Sequence, residues 1–89
     1  MTDEELDENF EKAVEIALSI EQSSLPQDVQ LRLYAYYKQA TFGSINYNQN
    51  ANFDLRNAFK TNAWLQISHL SVQESKILYI ETITKINAK

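Results

Sequence analysis

The sequence predicts an all-α protein of four helices. Apolar residues recur every three or four positions in four separate segments, which is the spacing of one helix face. No segment keeps the strict apolar–polar alternation of a half-buried strand, and no internal repeat is present. With 89 residues, we expect one domain, residues 1–89, with a modest core and room for a groove or shallow pocket.

The first helix is predicted over roughly residues 3–21. Thr2 and Glu5 have the spacing of a capping box, and acidic residues fill the first turn, where they favour the positive end of the helix dipole. The apolar stripe consists of Leu6, Phe10, Ala13, Ala17 and Ile20. This stripe is expected to be buried, while the acidic side faces water.

The second helix is predicted from about Pro26 to Phe42, because proline suits a first helical turn and Gly43 fits a left-handed C-cap. An ordinary core face is formed by Val29, Leu33, Tyr36 and Ala40. A separate stripe is formed by Tyr34, Tyr37, Lys38 and Thr41. Two phenols, an ammonium and a hydroxyl make a poor hydrophobic seam and a good site for an aromatic, anionic ligand.

This tyrosine–lysine stripe also has a purely structural interpretation. Tyrosines often lie at the edge of a core with the hydroxyl in water, and a neighbouring lysine lays its aliphatic stem along them. Spacing alone leaves the structural and the ligand-binding interpretations open.

The second half of the chain predicts two more helices. The Asn-rich residues 44–53 form a long connection, which allows the second and third helices to be parallel. The third helix covers about residues 54–67, and its apolar face consists of Leu55, Phe59, Ala63 and Ile67. The fourth begins at Ser71, which forms a second capping box with Glu74, and reaches the C-terminal lysine. Its stripe consists of Val72, Tyr79, Ile83 and Ile86, with Ile80 beside it.

Composition excludes several classes of protein. Without cysteine and with one histidine, His69, the chain offers no disulfide, thiolate or multi-histidine metal site. Its net charge is −4, and residues 1–28 hold nine acidic residues against one basic residue, which argues against nucleic-acid binding. Residues 29–73 hold four basic residues against one acidic residue and could bind a small polyanion. No apolar run approaches the ~20 residues of a membrane span, so we expect a cytoplasmic, monomeric protein.

Several separated motifs resemble those of one known family. Residues 34–41 read Y-A-Y-Y-K-Q-A-T and are followed by Gly43, Ile45 and Asn46. Residues 10–13 contain F-x-K-A, and residues 60–64 contain K-x-x-A-W. Together with Tyr79-Ile80, this pattern closely resembles the acyl-CoA-binding protein family. The match covers most of the chain and implies an up-down-down-up four-helix bundle that binds long-chain acyl-CoA without turning it over.

The resemblance also implies roles for individual side chains toward the CoA head group. Tyr37 would stack on the adenine ring, and Tyr79 would close the nucleotide side of the site. The ribose 3′-phosphate and neighbouring phosphates would be held by Tyr34, Lys38 and Lys60.

The acyl chain is expected to contact Leu31 and its apolar neighbours, and Val14 of the first helix is also expected to bind the ligand. Leu18 departs from the family, since many members carry a lysine there, and Thr61 replaces a frequent tryptophan.

No cofactor or metal is implied. An enzyme would need a nucleophile or a tuned acid–base pair, and none is visible. A helical protein-interaction module, with the aromatic stripe as a peptide groove, is the alternative.

Overall fold

The computed structural model describes residues 2–43 and 55–88, with side chains from residue 58 onward in the second range. The predicted Asn-rich connection, residues 44–53, lies outside these ranges. The described residues form four α-helices: α1 (Asp3–Ser19), α2 (Gln27–Phe42), α3 (Leu55–Gln66) and α4 (Val72–Asn87). A short 3₁₀ turn, Gln22–Ser24, joins α1 to α2. The described residues contain no strand, so the all-α prediction is confirmed.

The predicted end of the first helix is wrong by about two residues. Ile20 continues the apolar spacing, but its backbone is extended (φ −90°, ψ 132°), and α1 therefore ends at Ser19. The 3₁₀ turn that follows had no signal in the sequence. At the other end, the Thr2 hydroxyl accepts a hydrogen bond from the Glu5 N–H at 3.1 Å, as the capping-box spacing predicts.

Both ends of α2 differ in detail from the prediction. Pro26 precedes the helix as its N-cap (ψ 147°) instead of lying in the first turn. Gly43 has the positive φ that favours glycine, 76°, but its ψ is −159°. The predicted glycine C-cap with positive φ is therefore confirmed, whereas ψ lies outside the left-handed helical region, in a conformation that glycine tolerates.

The two later helices begin and end close to their predicted positions. α3 ends at Gln66, one residue before the predicted end, and α4 ends at Asn87. Ser71 forms the complete capping box: its hydroxyl accepts from the Glu74 N–H at 3.0 Å, and the Glu74 carboxylate accepts from the Ser71 N–H at 3.1 Å. These reciprocal bonds satisfy N–H groups that a helix start leaves unpaired.

Side-chain contacts define how the helices are arranged. α4 packs against both α1 and α2, and α3 packs on α2. Tyr34 meets Lys60, and Gln39 farther along α2 meets Trp64 farther along α3, so α2 and α3 run parallel. Asp7 and Phe10 of α1 contact residues 76 and 79 of α4 in the same order. The bundle is therefore up-down-down-up, as the resemblance implied.

The hydrophobic core lies among α1, α2 and α4. Its buried members are Phe10, Ala13, Leu33, Ala40, Tyr79 and Ile83. Around them pack partly buried residues that include Val29, Tyr36 and Ile86. The predicted apolar stripes of these three helices thus face the core. On α2, Ala35 and Gln39 are also buried, on a side of the helix that the sequence left unassigned.

Candidate functional site

A cavity of about 770 Å³ opens beside the core and is bordered by residues of all four helices. Its volume lies within the range of roughly 300–1,000 Å³ that is usual for small-molecule sites. Six of the seven predicted ligand-binding residues line it: Val14, Leu31, Tyr34, Tyr37, Lys60 and Tyr79. The seventh, Lys38, lies beside it, with its Nζ 5.7 Å from the centre of the Tyr34 ring. The fold therefore brings together residues that are up to 65 positions apart in the chain.

The polar end of the cavity is built around the ring of Tyr34. The Nζ of Lys38, one turn later on α2, lies 5.7 Å from the ring centroid, and the Nζ of Lys60 from α3 lies 5.3 Å from it. Lys38 also lies 4.7 Å from the ring centroid of Phe42. Burial raises the pKa of the Tyr34 phenol, which keeps that group neutral. Two ammonium groups at one neutral ring create a local positive potential suited to a phosphate.

Two aromatic rings, Tyr37 and Tyr79, form the next part of the wall, and the ring of Phe10 packs against both. Phe10 stacks on Tyr37 with centroids 6.2 Å apart, and it meets Tyr79 edge-on at 5.1 Å. Tyr37 is 38 % exposed and borders the cavity, so part of its side chain is open to a ligand. Burial, followed by the neighbouring phenol of Tyr37, raises the pKa of Tyr79. An exposed ring backed by two buried rings has a fixed position on which a planar ligand group could stack.

The cavity is also lined by residues that the sequence did not assign to the site, among them three glutamines, Gln22, Gln27 and Gln30. Leu18 of α1 and Phe59 of α3 line it as well and are 82 % and 57 % exposed. The sequence predicts Phe59 on the apolar face of the third helix, and no described residue of that face is fully buried. The sequence signal for Leu18 was its departure from the family's lysine. Both side chains offer hydrocarbon surface that no other described element covers.

Gln39 holds α3 in place beside the cavity. This fully buried side chain donates to the carbonyls of Ser68 at 3.2 Å and Leu70 at 2.7 Å, and it accepts from the Trp64 indole at 2.9 Å. The indole also reaches the carbonyl of Gly43 at 3.2 Å. The motif K-Q-A-T contained this residue, but its role as the link between α2 and α3 was missed.

Thr41 shares the predicted stripe but does not line the cavity. Its hydroxyl donates to the Tyr37 carbonyl at 2.8 Å, a common local bond for threonine in a helix. Of the tyrosine–lysine stripe, Tyr34 and Tyr37 line the cavity and Lys38 lies beside the Tyr34 ring, whereas Thr41 contacts only its own helix.

None of the helices in the described ranges combines the length and apolar character needed to cross a membrane.

The sequence and the fold both match one family of known proteins. The profile of the Acyl CoA binding protein family matches residues 7–83. The acyl-CoA-binding protein of Ricinus communis is 31 % identical over 81 residues, covering 91 % of this chain and 89 % of that protein. This chain belongs to the acyl-CoA-binding protein family.

Longer relatives and a crystal structure agree with this assignment. Acyl-CoA-binding domain-containing protein 5 of Gallus gallus is 32 % identical over 80 residues, which are 86 % of this chain but 16 % of that protein. The chain thus spans about a sixth of the length of such relatives. The crystal structure of Oryza sativa Acyl-CoA-Binding Protein 2 superposes with a TM-score of 0.84 at 29 % identity, covering 93 % of this chain and 91 % of that one.

Proposed function

We propose that residues 1–89 act as one domain that binds long-chain acyl-CoA non-covalently and serves as a cytoplasmic carrier and pool former for it. Family and fold support acyl-CoA binding in general. The observation that carries the finer proposal is the Tyr34 ring, with Lys38 and Lys60 about it, on a cavity whose wall otherwise consists mainly of apolar side chains and three glutamines. Such a site suits a ligand with a phosphorylated head and a hydrocarbon tail.

The head group is proposed to lie at the polar end of the cavity. Lys38 and Lys60 donate to the ribose 3′-phosphate and neighbouring phosphates, and Tyr34 contributes its hydroxyl. Adenine stacks on the open side of the Tyr37 ring, which Phe10 backs from the protein side. Tyr79 lies 6.2 Å from Tyr37, centroid to centroid, and closes the nucleotide side.

The acyl chain is proposed to follow the apolar wall past Val14 and Leu31. Burial of about twelve methylene groups, at ~0.8 kcal/mol each, would contribute on the order of 10 kcal/mol before ordering costs of several kcal/mol. Head group and chain are therefore both needed for tight binding. Free palmitate lacks the phosphates and CoA lacks the chain, so each should bind much more weakly than palmitoyl-CoA.

Isothermal titration with palmitoyl-CoA, CoA and palmitate tests the proposal directly. Tight binding of palmitoyl-CoA with weak binding of both fragments is the expected result. Palmitate competing as well as palmitoyl-CoA would show that the head-group site is misassigned. No binding of palmitoyl-CoA, with a peptide captured instead, would favour the protein-interaction alternative.

The proposal also states that the ligand is released unchanged. Chromatography of the titrated samples should show no free CoA beyond that formed in buffer alone, and excess CoA would indicate a hydrolase. For the carrier role, the protein should extract palmitoyl-CoA from loaded vesicles and deliver it to acceptor vesicles. Failure to transfer a ligand that it binds would contradict that role.

A further inference from the structure

A second cavity of about 490 Å³ lies between α2 and α3, next to the main cavity. Leu31 of α2 and Phe59 of α3 line both cavities. These two side chains come from helices that pack on each other, so the two cavities meet where Leu31 and Phe59 lie. None of the ligand-binding residues proposed above, apart from Leu31, lines the second cavity.

The wall of the second cavity is mixed, with apolar side chains in the majority. Besides Leu31 and Phe59 it includes Ala35, Tyr36, Ala63 and Ile67, and two amide side chains, Asn62 and Gln66, also border it. Its described charged residues are Asp28 and Arg32, which pair with each other at 3.2 Å at an exposed rim. Because the guanidinium already has a carboxylate partner, this cavity lacks the free cationic character of the Tyr34 end. A phosphorylated head group is therefore disfavoured there, and an apolar chain end is the occupant that fits.

The two residues that line both cavities are held differently. Leu31 is half-buried, whereas Phe59 is 57 % exposed. An exposed ring loses little packing when it is shortened, so removing it should join the cavities without removing a core contact. We propose that Phe59 limits acyl-chain length, because its ring borders both cavities and occupies the place where a chain end would pass from the main cavity into the second one. This inference rests on the function proposed above.

Phe59→Ala tests this limit with a series of lauroyl-, myristoyl-, palmitoyl-, stearoyl- and arachidoyl-CoA, each kept below micelle formation. In the wild-type protein, affinity should rise with chain length and then level off. In Phe59→Ala it should continue to rise beyond that length. Each further buried methylene raises affinity roughly fourfold, so two of them should raise it about fifteenfold.

Two further variants make the result specific. Ile77→Ala removes an apolar side chain of 42 % exposure that lines neither cavity, and it should keep the wild-type profile. Adding Ala63→Leu to Phe59→Ala refills the second cavity and should restore the wild-type limit, with circular dichroism confirming that the helices remain.

The outcomes separate this inference from the proposed function. If the wild-type protein binds no acyl-CoA, the proposed function itself fails. If it binds them but Phe59→Ala leaves the chain-length profile unchanged, or weakens every ligand by the same factor, Phe59 does not limit the chain and the inference is overturned. A lengthened profile that Ala63→Leu does not reverse would place the extra methylenes outside the second cavity and would overturn it equally.

Discussion

The two sides of α2 are held by different forces. Toward α1 and α4, the helix contributes Leu33 and Ala40 to a buried cluster that also contains Phe10, Tyr79 and Ile83. Toward α3 the contact is partly polar, and no α3 side chain that the structure describes is fully buried. One side is a hydrophobic core, whereas the other is a seam fastened by hydrogen bonds.

The hydrogen bonds and the cavities occupy different positions along this seam. Gln39 and Trp64 fasten the C-terminal ends of α2 and α3. Nearer the start of α2, Leu31 and Phe59 border both cavities. The core therefore supplies stability, and the seam supplies part of the wall of the space for a ligand. Variants in the two regions should separate stability from binding, and the following predictions test that separation in order of expected effect.

Ile83→Ala should produce the largest change. Ile83 is 1 % exposed, and truncating a buried isoleucine to alanine typically costs about 2–5 kcal/mol in the free energy of unfolding. Phe59→Ala, on the seam, should cost less than about 1 kcal/mol, because its ring is largely exposed. Urea unfolding of the ligand-free proteins measures both. Equal losses for the two variants would show that the seam is as stabilising as the core.

Lys60→Ala should weaken ligand binding and leave the stability of the fold almost unchanged. A hydrogen bond to a charged group contributes about 1.5–3 kcal/mol, so its loss should weaken palmitoyl-CoA binding roughly 10- to 150-fold. Its ammonium touches the Tyr34 ring at the cavity and no buried core residue, so the thermal midpoint should change little. Lys85→Ala on α4 removes the same charge away from the cavity and is the matched control. If both variants bind equally well, Lys60 does not hold a phosphate.

Gln39→Met should loosen the seam itself. The change keeps a similar length but leaves the Leu70 carbonyl without this donor and the Trp64 indole without this acceptor. The indole keeps the Gly43 carbonyl as an acceptor, so the cost comes mainly from the carbonyls that lose their donor, about 1–3 kcal/mol. Amide hydrogen exchange should quicken most in α3, since α1 and α4 keep their core. Gln73→Met, at an exposed position of α4, should change neither the free energy of unfolding nor the rate of amide hydrogen exchange. Uniform exchange across all helices would indicate that α3 unfolds only with the whole bundle.

Much of the core was predictable because a 3.6-residue period identifies which side of a helix is apolar. The stripes of α1, α2 and α4 were read in this way, as was the tyrosine–lysine stripe at the cavity. The burial of Ala35 and Gln39 was not, because a small and a polar residue carry no hydrophobic signal. Phe59 shows the converse: periodicity identifies an apolar face but not whether another helix covers it. Ile20 has the right spacing, yet the backbone has already left the helix.

Ser75→Ala should make the core side more stable. Ser75 of α4 is fully buried, and its Oγ has no hydrogen-bond partner among the described residues. Removing a buried, unsatisfied hydroxyl and placing alanine in a helix both favour the folded state, by about 1 kcal/mol together. The urea midpoint should therefore rise while acyl-CoA affinity stays constant. A destabilised Ser75→Ala protein would show that the hydroxyl has a partner after all.

The smallest effect concerns the phenol that lies between core and cavity. Burial, and then the neighbouring Tyr37, raise the pKa of Tyr79 above its ordinary value of 10.0. A group whose pKa is higher in the folded than in the unfolded protein contributes stability that is complete below the unfolded pKa and is lost as the pH rises through the folded one.

The wild-type protein should therefore lose stability as the pH rises above about 10, and Tyr79→Phe should lose less over the same interval. Urea midpoints at neutral and at alkaline pH measure this, and the neutral values remove any packing difference between the variants. If the urea midpoints of both proteins fall equally, deprotonation of Tyr79 does not cause the loss of stability at high pH. The same measurement on Tyr34→Phe would then test Tyr34, whose pKa is also raised by burial.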